Sequence, residues 1–87
     1  LEVLGFCGRG EAAAFVDGGR RITFGGELPL NTGGGQLSAG RLHGYGHLHE
    51  ACAQLQGTCG ERQVKDAEVA VVSAGGGPFG GCLLLTR

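Results

Sequence analysis

Glycine limits most strongly what this chain can fold into. Of its 87 residues 20 are Gly, whereas only four are Phe and one is Tyr. Each Gly adds conformational entropy to the unfolded chain and contributes no side chain to a core. A chain of this length buries only about 60% of its unfolded surface. The sequence therefore predicts at most one domain, and a piece of a longer or processed protein rather than a stable monomer; the first residue, Leu1, agrees with that expectation.

The charge balance and the hydropathy pattern disfavour several classes of partner. Seven basic residues stand against eight acidic ones, and no basic run provides the electrostatic footprint of a nucleic-acid or polybasic membrane-surface binder. No stretch approaches the ~18 to 20 apolar residues of a membrane span, and the first residues lack the pattern of a signal peptide. We expect no nucleic-acid partner and no membrane span.

Four cysteines, at positions 7, 52, 59 and 82, include no C-x-x-C pair. Cys52 falls on the apolar stripe of a predicted helix and Cys82 opens a predicted strand, and in such places Cys acts as a small hydrophobe. The spacing favours reduced thiols and a cytoplasmic location over a disulfide scaffold.

The first half of the chain predicts little regular structure. Residues 1–16 predict a loop or a short helix, and the Asp-Gly-Gly at 17–19 marks a turn before a short strand at residues 22–24. Residues 25–40 predict a long, shaped loop. Loops of this length in compact domains are often functional.

One amphipathic helix is predicted, with an apolar stripe that begins at Leu42 and with its end at Gly57. Ser38 is its expected N-cap, and Gly57 is its expected left-handed C-cap residue. The apolar stripe consists of Leu42, Tyr45, Leu48, Cys52 and Leu55. The opposite, polar face is predicted to carry His43, His47, Glu50 and Gln54.

Two strands are predicted after this helix. Residues 67–72 are rich in β-branched side chains and predict a buried strand. Residues 73–81 predict a glycine-rich turn, and residues 82–86 predict a final strand paired antiparallel with the first. The order of elements predicts an α/β class.

The glycine loop that leads into the helix raises the question of phosphate binding. Residues 35–42 have the glycine spacing of a Walker A loop but place Arg41 and Leu42 where Lys and Ser or Thr are required. A nucleotide site is therefore disfavoured. A tight backbone turn that contacts a catalytic oxyanion is the preferred interpretation.

Three histidines follow the glycine loop. His43 and His47 have the i, i+4 spacing of a helical metal pair, but no third ligand with diagnostic spacing accompanies them. His47 and His49 are interpreted as polar-face residues, and no metal is expected. His43 lies directly beyond the loop and is the candidate general acid/base.

Ser73 precedes a second group of glycines. A nucleophile elbow requires G-x-S-x-G at a strand-to-helix turn, and Ser73 has neither the flanking residues nor a following helix. The glycines instead allow backbone N–H groups to approach a ligand closely.

Two stretches together resemble a known family. They are NTGGGQLSAGRLHG at residues 31–44 and AEVAVVSAGGG at residues 67–77. They look like the C-terminal end of thiolase-superfamily proteins, in the branch of sterol-carrier-protein-x-like thiolases and lipid-transfer-protein aldolases. The resemblance covers nearly the whole chain.

The resemblance implies a layered α/β/α/β/α fold built from two similar halves. Residues 1–87 would be the last part of the C-terminal half, and the N-terminal half, which supplies the acylated Cys of a thiolase, is absent from this chain. A coenzyme A thioester is the implied substrate, with no covalently bound cofactor. Implied partners are the remaining thiolase-fold chain and either a second copy or a small subunit with an OB-fold and a zinc ribbon.

Two positions depart from the thiolase pattern. Where thiolases carry G-H-P-x-G, residues 40–44 read Gly-Arg-Leu-His-Gly, which puts Arg41 at the family's His position. Ser73 stands at the position of the second catalytic Cys, and a hydroxyl has too high a pKa to replace a thiol as acid/base. Both departures argue against ordinary thiolysis. The aldolase and noncanonical acyltransferase relatives tend to keep a His where His43 stands.

The resemblance therefore implies part of an enzyme for Claisen-type acyl transfer or retro-aldol cleavage of acyl-CoA thioesters, inactive as 87 residues alone. His43 is the expected proton carrier, Ser73 occupies the former Cys position, and Tyr45 is a weaker acid/base candidate. The expected oxyanion and CoA-thioester contacts are Asn31, Gly75, Gly76 and Gly77. The alternative is a catalytically degenerate structural or assembly subunit, which the changes at Arg41 and Ser73 favour.

Overall fold

In a computed structural model the protein forms two compact units, Leu1–Leu30 and Asn31–Arg87. The structure describes residues 1–38, 40, 42–76 and 79–87. No helix in these ranges is long and apolar enough to cross a membrane.

The first unit contains one short helix, α1 (Ala12–Val16), which continues into a 3₁₀ turn at Asp17–Gly19. The Glu2 carboxylate accepts hydrogen bonds from the N–H groups of Gly10 (2.7 Å) and Ala12 (3.1 Å). These two bonds lower the pKa of Glu2 and tie the start of α1 to the beginning of the chain. The predicted turn at 17–19 is confirmed.

The strand predicted for residues 22–24 is wrong, because this stretch forms turns and bends. The Leu28 N–H donates to the Arg21 carbonyl (2.8 Å), and the Leu30 N–H donates to the Ile22 carbonyl (3.0 Å). At Gly26 a Cβ would overlap backbone atoms of Arg21, so the chain bends sharply only with glycine there. This local turn overrides the β-propensity of the stretch.

The second unit contains α2 (Tyr45–Gln56), a 3₁₀ turn at Gly60–Arg62, and strands β1 (Val69–Gly76) and β2 (Phe79–Thr86). β1 and β2 pair antiparallel, from Val69 opposite Thr86 to Gly76 opposite Phe79. The helices and the antiparallel pair agree with the predicted α/β class. The layered arrangement of a whole thiolase remains an expectation.

α2 begins later than predicted, at Tyr45, and Ser38 is not its N-cap. His43 and Gly44 have φ values of 52° and 93°, which lie in the left-handed region and cannot continue a right-handed helix. Gly44 therefore occupies the N-cap position, and Tyr45 is the first helical residue.

The end of α2 is as predicted. Gly57 has a left-handed φ of 75°. Its N–H donates to the Gln54 carbonyl (3.2 Å), and the Thr58 N–H donates to the Ala53 carbonyl (3.0 Å). These bonds satisfy carbonyl groups that a helix end would otherwise leave unpaired.

The core of the second unit lies at the C-terminal half of α2. Its buried residues are Ala53, Gln54, Leu55, Cys59 and Val72. The predicted apolar stripe is only partly buried, because Leu42 precedes the helix and Tyr45 in its first turn is 70% exposed. Cys52 is exposed, so Cys59 is the buried thiol, and burial raises its pKa. The four cysteines are unpaired.

The two strands extend through most of the stretch that was predicted as a glycine-rich turn, since β1 runs to Gly76 and β2 starts at Phe79. Residues 77 and 78 lie outside the described ranges. Val72 is buried, whereas Val69 and Leu84 are 60% and 68% exposed. Because side chains alternate between faces, one face of the pair carries the buried Val72, and the other presents these two apolar residues.

Candidate functional site

His43 lies in a tight turn directly before α2, rather than in its first turn as predicted. The Tyr45 N–H donates to the Leu42 carbonyl (3.1 Å) and closes this turn. His43 is exposed and has a φ of 52°. A left-handed backbone is uncommon and strained for a residue other than Gly, and such residues cluster at functional sites.

The turn at His43 reaches the strand pair through Gly44. A Cβ placed on Gly44 would lie 3.2 Å from the Cβ of Ala74 in β1. A residue with a side chain at this position would be in tight contact with Ala74 and would also have to adopt a left-handed φ of 93°. The chain at His43 and Gly44 therefore runs beside the part of β1 that contains Ser73 and Gly75.

Ser73 lies within β1, opposite Cys82, and is exposed. The expectation that it opens a glycine turn is wrong, because the ladder continues for three more residues of β1. Strand alternation puts Ser73 on the face opposite to that of Ala74. The structure thus brings the backbone near Ser73 close to Gly44, but its side chain belongs to the other face of the hairpin.

The predicted oxyanion donors are only partly described. Gly75 pairs with Gly80 and Gly76 pairs with Phe79, whereas Gly77 lies outside the described residues. In a two-stranded antiparallel ladder, successive residues alternate between pointing their N–H toward the partner strand and away from it. One of the N–H groups of Gly75 and Gly76 therefore points outward and can serve as a donor.

Asn31 begins the glycine loop and is exposed, with a φ of 49°. Its carbonyl accepts the Gly34 N–H (2.8 Å), which closes a tight turn. The next residue, Thr32, donates from its hydroxyl to the Glu50 carboxylate (3.0 Å). The beginning of the loop is therefore fastened to α2.

The Glu50 carboxylate accepts several hydrogen bonds that the sequence did not predict. Its carboxylate accepts bonds from the Arg62 guanidinium to both oxygens (3.0 to 3.2 Å) and from the Gln54 amide (3.1 Å). Hydrogen bonds from Arg62, Gln54 and Thr32 together lower the pKa of Glu50 to about 2, although burial by itself would raise it. Glu50 is thus a charged, fixed group rather than a solvated residue of a polar helix face.

Gln54 extends this cluster into the core and is only 6% exposed, although it was predicted to lie on the polar face. Its amide group donates to the Arg62 carbonyl (2.7 Å) and accepts the Val64 N–H (2.8 Å). Gln63 donates in turn to the Gln54 carbonyl (2.8 Å). A buried amide is tolerated when its hydrogen bonds are made, and nothing in the sequence near Gln54 indicates these partners.

An open pocket of about 460 Å³ lies between the glycine loop and the first half of α2. It is lined by Gly33, Gly35, Gln36, Leu42, Tyr45, Gly46, His47, His49 and Glu50. His47 and His49, which were interpreted as polar-face residues, line the pocket, whereas His43 does not. Within the described ranges no group of three or more His, Cys, Asp or Glu side chains is arranged to hold a metal ion.

Asn31, His43 and Ser73 do not form one hydrogen-bonded cluster. No hydrogen bond between described residues joins any two of their side chains. The arrangement supplies an exposed imidazole at a strained turn, an exposed amide at the start of a loop, and a strand end with an outward N–H. These groups are suited to proton transfer and oxyanion binding if a substrate brings them together.

Comparison with known proteins identifies a family. The family described as thiolase C-terminal domain-like matches residues 1–82. The chain is 46% identical over 85 residues to a 17-hydroxy-3-oxo-4-pregnene-20-carboxyl-CoA lyase of Mycobacterium tuberculosis, covering 97% of this chain and 22% of that protein. It is 40% identical over 84 residues to a steroid side-chain-cleaving aldolase of Thermomonospora curvata, covering 97% and 21%.

Human sterol carrier protein 2 is 39% identical over 88 residues, with 98% of this chain and 16% of that protein covered. The chain thus spans between 16% and 22% of the length of these three relatives. The comparison with solved structures gave no match. The resemblance predicted from residues 31–44 and 67–77 is confirmed: the chain belongs to the thiolase C-terminal domain-like family.

Proposed function

We propose that the protein containing this chain is a thiolase-like enzyme that cleaves a carbon–carbon bond of an acyl-CoA thioester by a retro-aldol reaction. The observation that carries the proposal is the turn at His43 and Gly44, which lies against Ala74 beside Ser73 and the glycines of β1. Two relatives support the choice of chemistry, since their names describe a CoA lyase and an aldolase. Claisen-type acyl transfer on the same thioesters is the second chemistry that these residues could support.

In the retro-aldol reaction a base takes the proton from the 3-hydroxyl group of a 3-hydroxyacyl-CoA. The C2–C3 bond then breaks, C3 becomes the carbonyl carbon of one product, and the bonding electrons pass to C2 to form the thioester enolate. Protonation of C2 gives the second product, a shortened acyl-CoA. His43 is the proposed proton carrier, because its exposed imidazole at the turn can both accept and return a proton.

The enolate oxygen needs hydrogen-bond donors that are in place before the bond breaks. The proposed donors are Asn31, the N–H group of Gly75 or Gly76 that points away from β2, and the N–H group of Gly77. In this reaction the proposed proton carrier is His43, so no thiol acid/base is required at position 73 and Ser73 is compatible with it. A Ser hydroxyl would be a poor substitute for a thiol in the proton transfers of thiolysis.

The proposal also concerns parts of the protein outside this chain. A thiolase-fold half beyond these residues would complete the site, and the assembly would be a homodimer or a complex with a small OB-fold and zinc-ribbon subunit. A cytoplasmic location belongs to the same proposal, and the unpaired thiols favour it.

A structural or assembly subunit is the second candidate function. It is favoured by the lack of a hydrogen bond between the side chains of Asn31, His43 and Ser73 among the described residues. The family residues replaced at Arg41 and Ser73 favour it too. A subunit of this kind would bind its partner chain but would turn over no acyl-CoA.

The test assays the full-length protein for two reactions: retro-aldol cleavage of a 3-hydroxyacyl-CoA and thiolytic cleavage of a 3-ketoacyl-CoA. We expect retro-aldol activity in the wild type and no gain of thiolysis in Ser73→Cys. Strong thiolysis in Ser73→Cys would contradict the aldolase assignment, because a thiol with a pKa near 8.5 would then have restored an ordinary thiolase. Silence of both proteins in both assays would favour the structural subunit.

A further inference from the structure

We infer that Glu50 is a positioning residue that holds the glycine loop, residues 31–36, at a fixed distance from α2 through Thr32. The Thr32 hydroxyl donates to Oε1 of Glu50 at 3.0 Å. Beside it, the backbone of Gly33 lies so close that an added Cβ would be 3.2 Å from Cγ of Glu50. The loop thus touches the Glu50 side chain at two successive residues.

The Glu50 carboxylate is itself held in place from the other side. Arg62 donates from Nε and one terminal nitrogen to the two carboxylate oxygens, and Gln54 donates to Oε1. Gln54 is buried and bonded to the backbone of residues 62 and 64. The Thr32 hydroxyl therefore binds a carboxylate whose position is set by the core, not a freely rotating surface group.

Two parts of the candidate site depend on where this loop lies. Asn31, the proposed oxyanion donor, directly precedes Thr32. Gly33, Gly35 and Gln36 form one side of the 460 Å³ pocket, and side chains of α2 form the other. Releasing Thr32 would therefore move Asn31 and change the width of the pocket, with no atom of Glu50 needing to touch the substrate.

The catalytic part of this inference rests on the proposed function, whereas the positioning of the loop does not. Two measurements on the full-length protein keep them apart. Hydrogen–deuterium exchange reports the loop through peptides covering residues 31–36, where the Gly34 N–H is bonded to the Asn31 carbonyl. Retro-aldol cleavage of a 3-hydroxyacyl-CoA reports kcat and KM.

The variant is Thr32→Val, which keeps the shape of the side chain and removes the hydroxyl. Thr32→Ser restores the hydroxyl, and Thr58→Val makes the same change at the other end of α2, where the Thr58 hydroxyl donates to the Ala53 carbonyl (3.3 Å). Loss of a hydrogen bond to a charged group predicts about tenfold faster exchange in residues 31–36 of Thr32→Val. Peptides covering residues 53–63 should be unchanged, and kcat should fall while the melting temperature stays within a few degrees.

Wild-type exchange of residues 31–36 in Thr32→Ser and Thr58→Val would support the inference. Unchanged loop exchange in Thr32→Val would overturn it, and so would an equal rise in residues 53–63, which would mean general destabilisation. Faster loop exchange with an unchanged kcat in an active enzyme would overturn the catalytic part. If the wild type cleaves no acyl-CoA, the proposed function fails, and the exchange measurement still decides whether Thr32 and Glu50 fix the loop.

Discussion

The second unit contains two neighbouring regions that are built in different ways. Residues 53–64 are held by buried side chains and by hydrogen bonds such as those of Gln54 with the Arg62 carbonyl and the Val64 N–H. The described residues between 31 and 44, which are 31–38, 40 and 42–44, are mostly exposed, and left-handed backbone at Asn31, His43 and several glycines sets their course. The first region is a scaffold, and the second presents polar groups to whatever binds there.

Under the proposed function, this difference separates residues that stabilise the segment from residues that act on the substrate. Polar groups of the scaffold have partners inside the segment, since no buried side-chain nitrogen or oxygen among the described residues lacks one. The side chains of Asn31 and His43 make no hydrogen bond with other described residues. Glu50 joins the two regions, because it binds Arg62 on one side and Thr32 on the other.

The largest effect on stability is expected from Glu50→Ala, which removes the shared anchor of the two regions. The change leaves the Arg62 guanidinium and one N–H of the Gln54 amide without their acceptor, although the Gln54 amide keeps its bond to the Arg62 carbonyl. We expect the free energy of unfolding to fall by about 3 kcal/mol. Urea unfolding of the full-length protein measures it. Glu61→Ala is the matched control, because Glu61 is exposed and its loss should cost less than about 0.5 kcal/mol. Equal effects of the two variants would contradict the role of Glu50 as anchor.

Low pH should weaken the stabilisation that the Glu50 carboxylate provides. The pKa of Glu50 is lowered from 4.5 to about 2 in the folded chain, so the unfolded chain binds the proton more readily. The ionised Glu50 carboxylate therefore stabilises the folded chain fully above pH 4.5, and this stabilisation is lost as the pH falls toward 2. After allowance for screening at the half-exposed Arg62, the loss is about 2 kcal/mol. Unfolding measured from pH 6 to pH 2 should show this fall in the free energy of unfolding for the wild type and not for Glu50→Gln. The same pH dependence in both proteins would contradict the prediction.

Two glycine substitutions compare the backbone of the two regions. Gly57→Ala places a Cβ in open space on a residue with a φ of 75°. Gly44→Ala places a Cβ on a residue with a φ of 93° and also brings it into close contact with Ala74. We expect costs of about 1 kcal/mol for Gly57→Ala and about 1.5 kcal/mol for Gly44→Ala. Only Gly44→Ala should also lower the retro-aldol rate, because it displaces the turn at His43. Equal loss of activity in both variants would show that the turn has no special role.

Local signals in the sequence were enough for some elements. Gly57 ends α2 as its position after Leu55 and Gln56 predicts, because a glycine there can adopt the left-handed conformation. The antiparallel pair was predicted from the apolar residues on both sides of the last glycines. The family was recognisable because residues 31–44 and 67–77 together carry the glycine-rich stretches on which the resemblance rests.

Other features depend on contacts that no local pattern contains. α2 starts later than predicted because His43 has a left-handed φ. The presence of a histidine does not predict that conformation. Gln54 is buried because residues 62 and 64 return to pair with its amide, and Thr32 meets Glu50 across 18 positions of sequence. No hydrogen bond between described residues joins the side chains of Asn31, His43 and Ser73, so their roles remain predictions.

The central claim is that function resides in the exposed turn at His43 rather than in the hydrogen-bonded scaffold. The most direct measurement compares retro-aldol cleavage of a 3-hydroxyacyl-CoA by full-length wild type, His43→Ala and His49→Ala, with melting temperatures recorded for all three. We expect His43→Ala to lower kcat by roughly 10²-fold or more at an unchanged melting temperature, as for loss of a general acid/base, and His49→Ala to change it little. Equal effects of the two variants, or a loss of rate that follows the melting temperature, would contradict the claim.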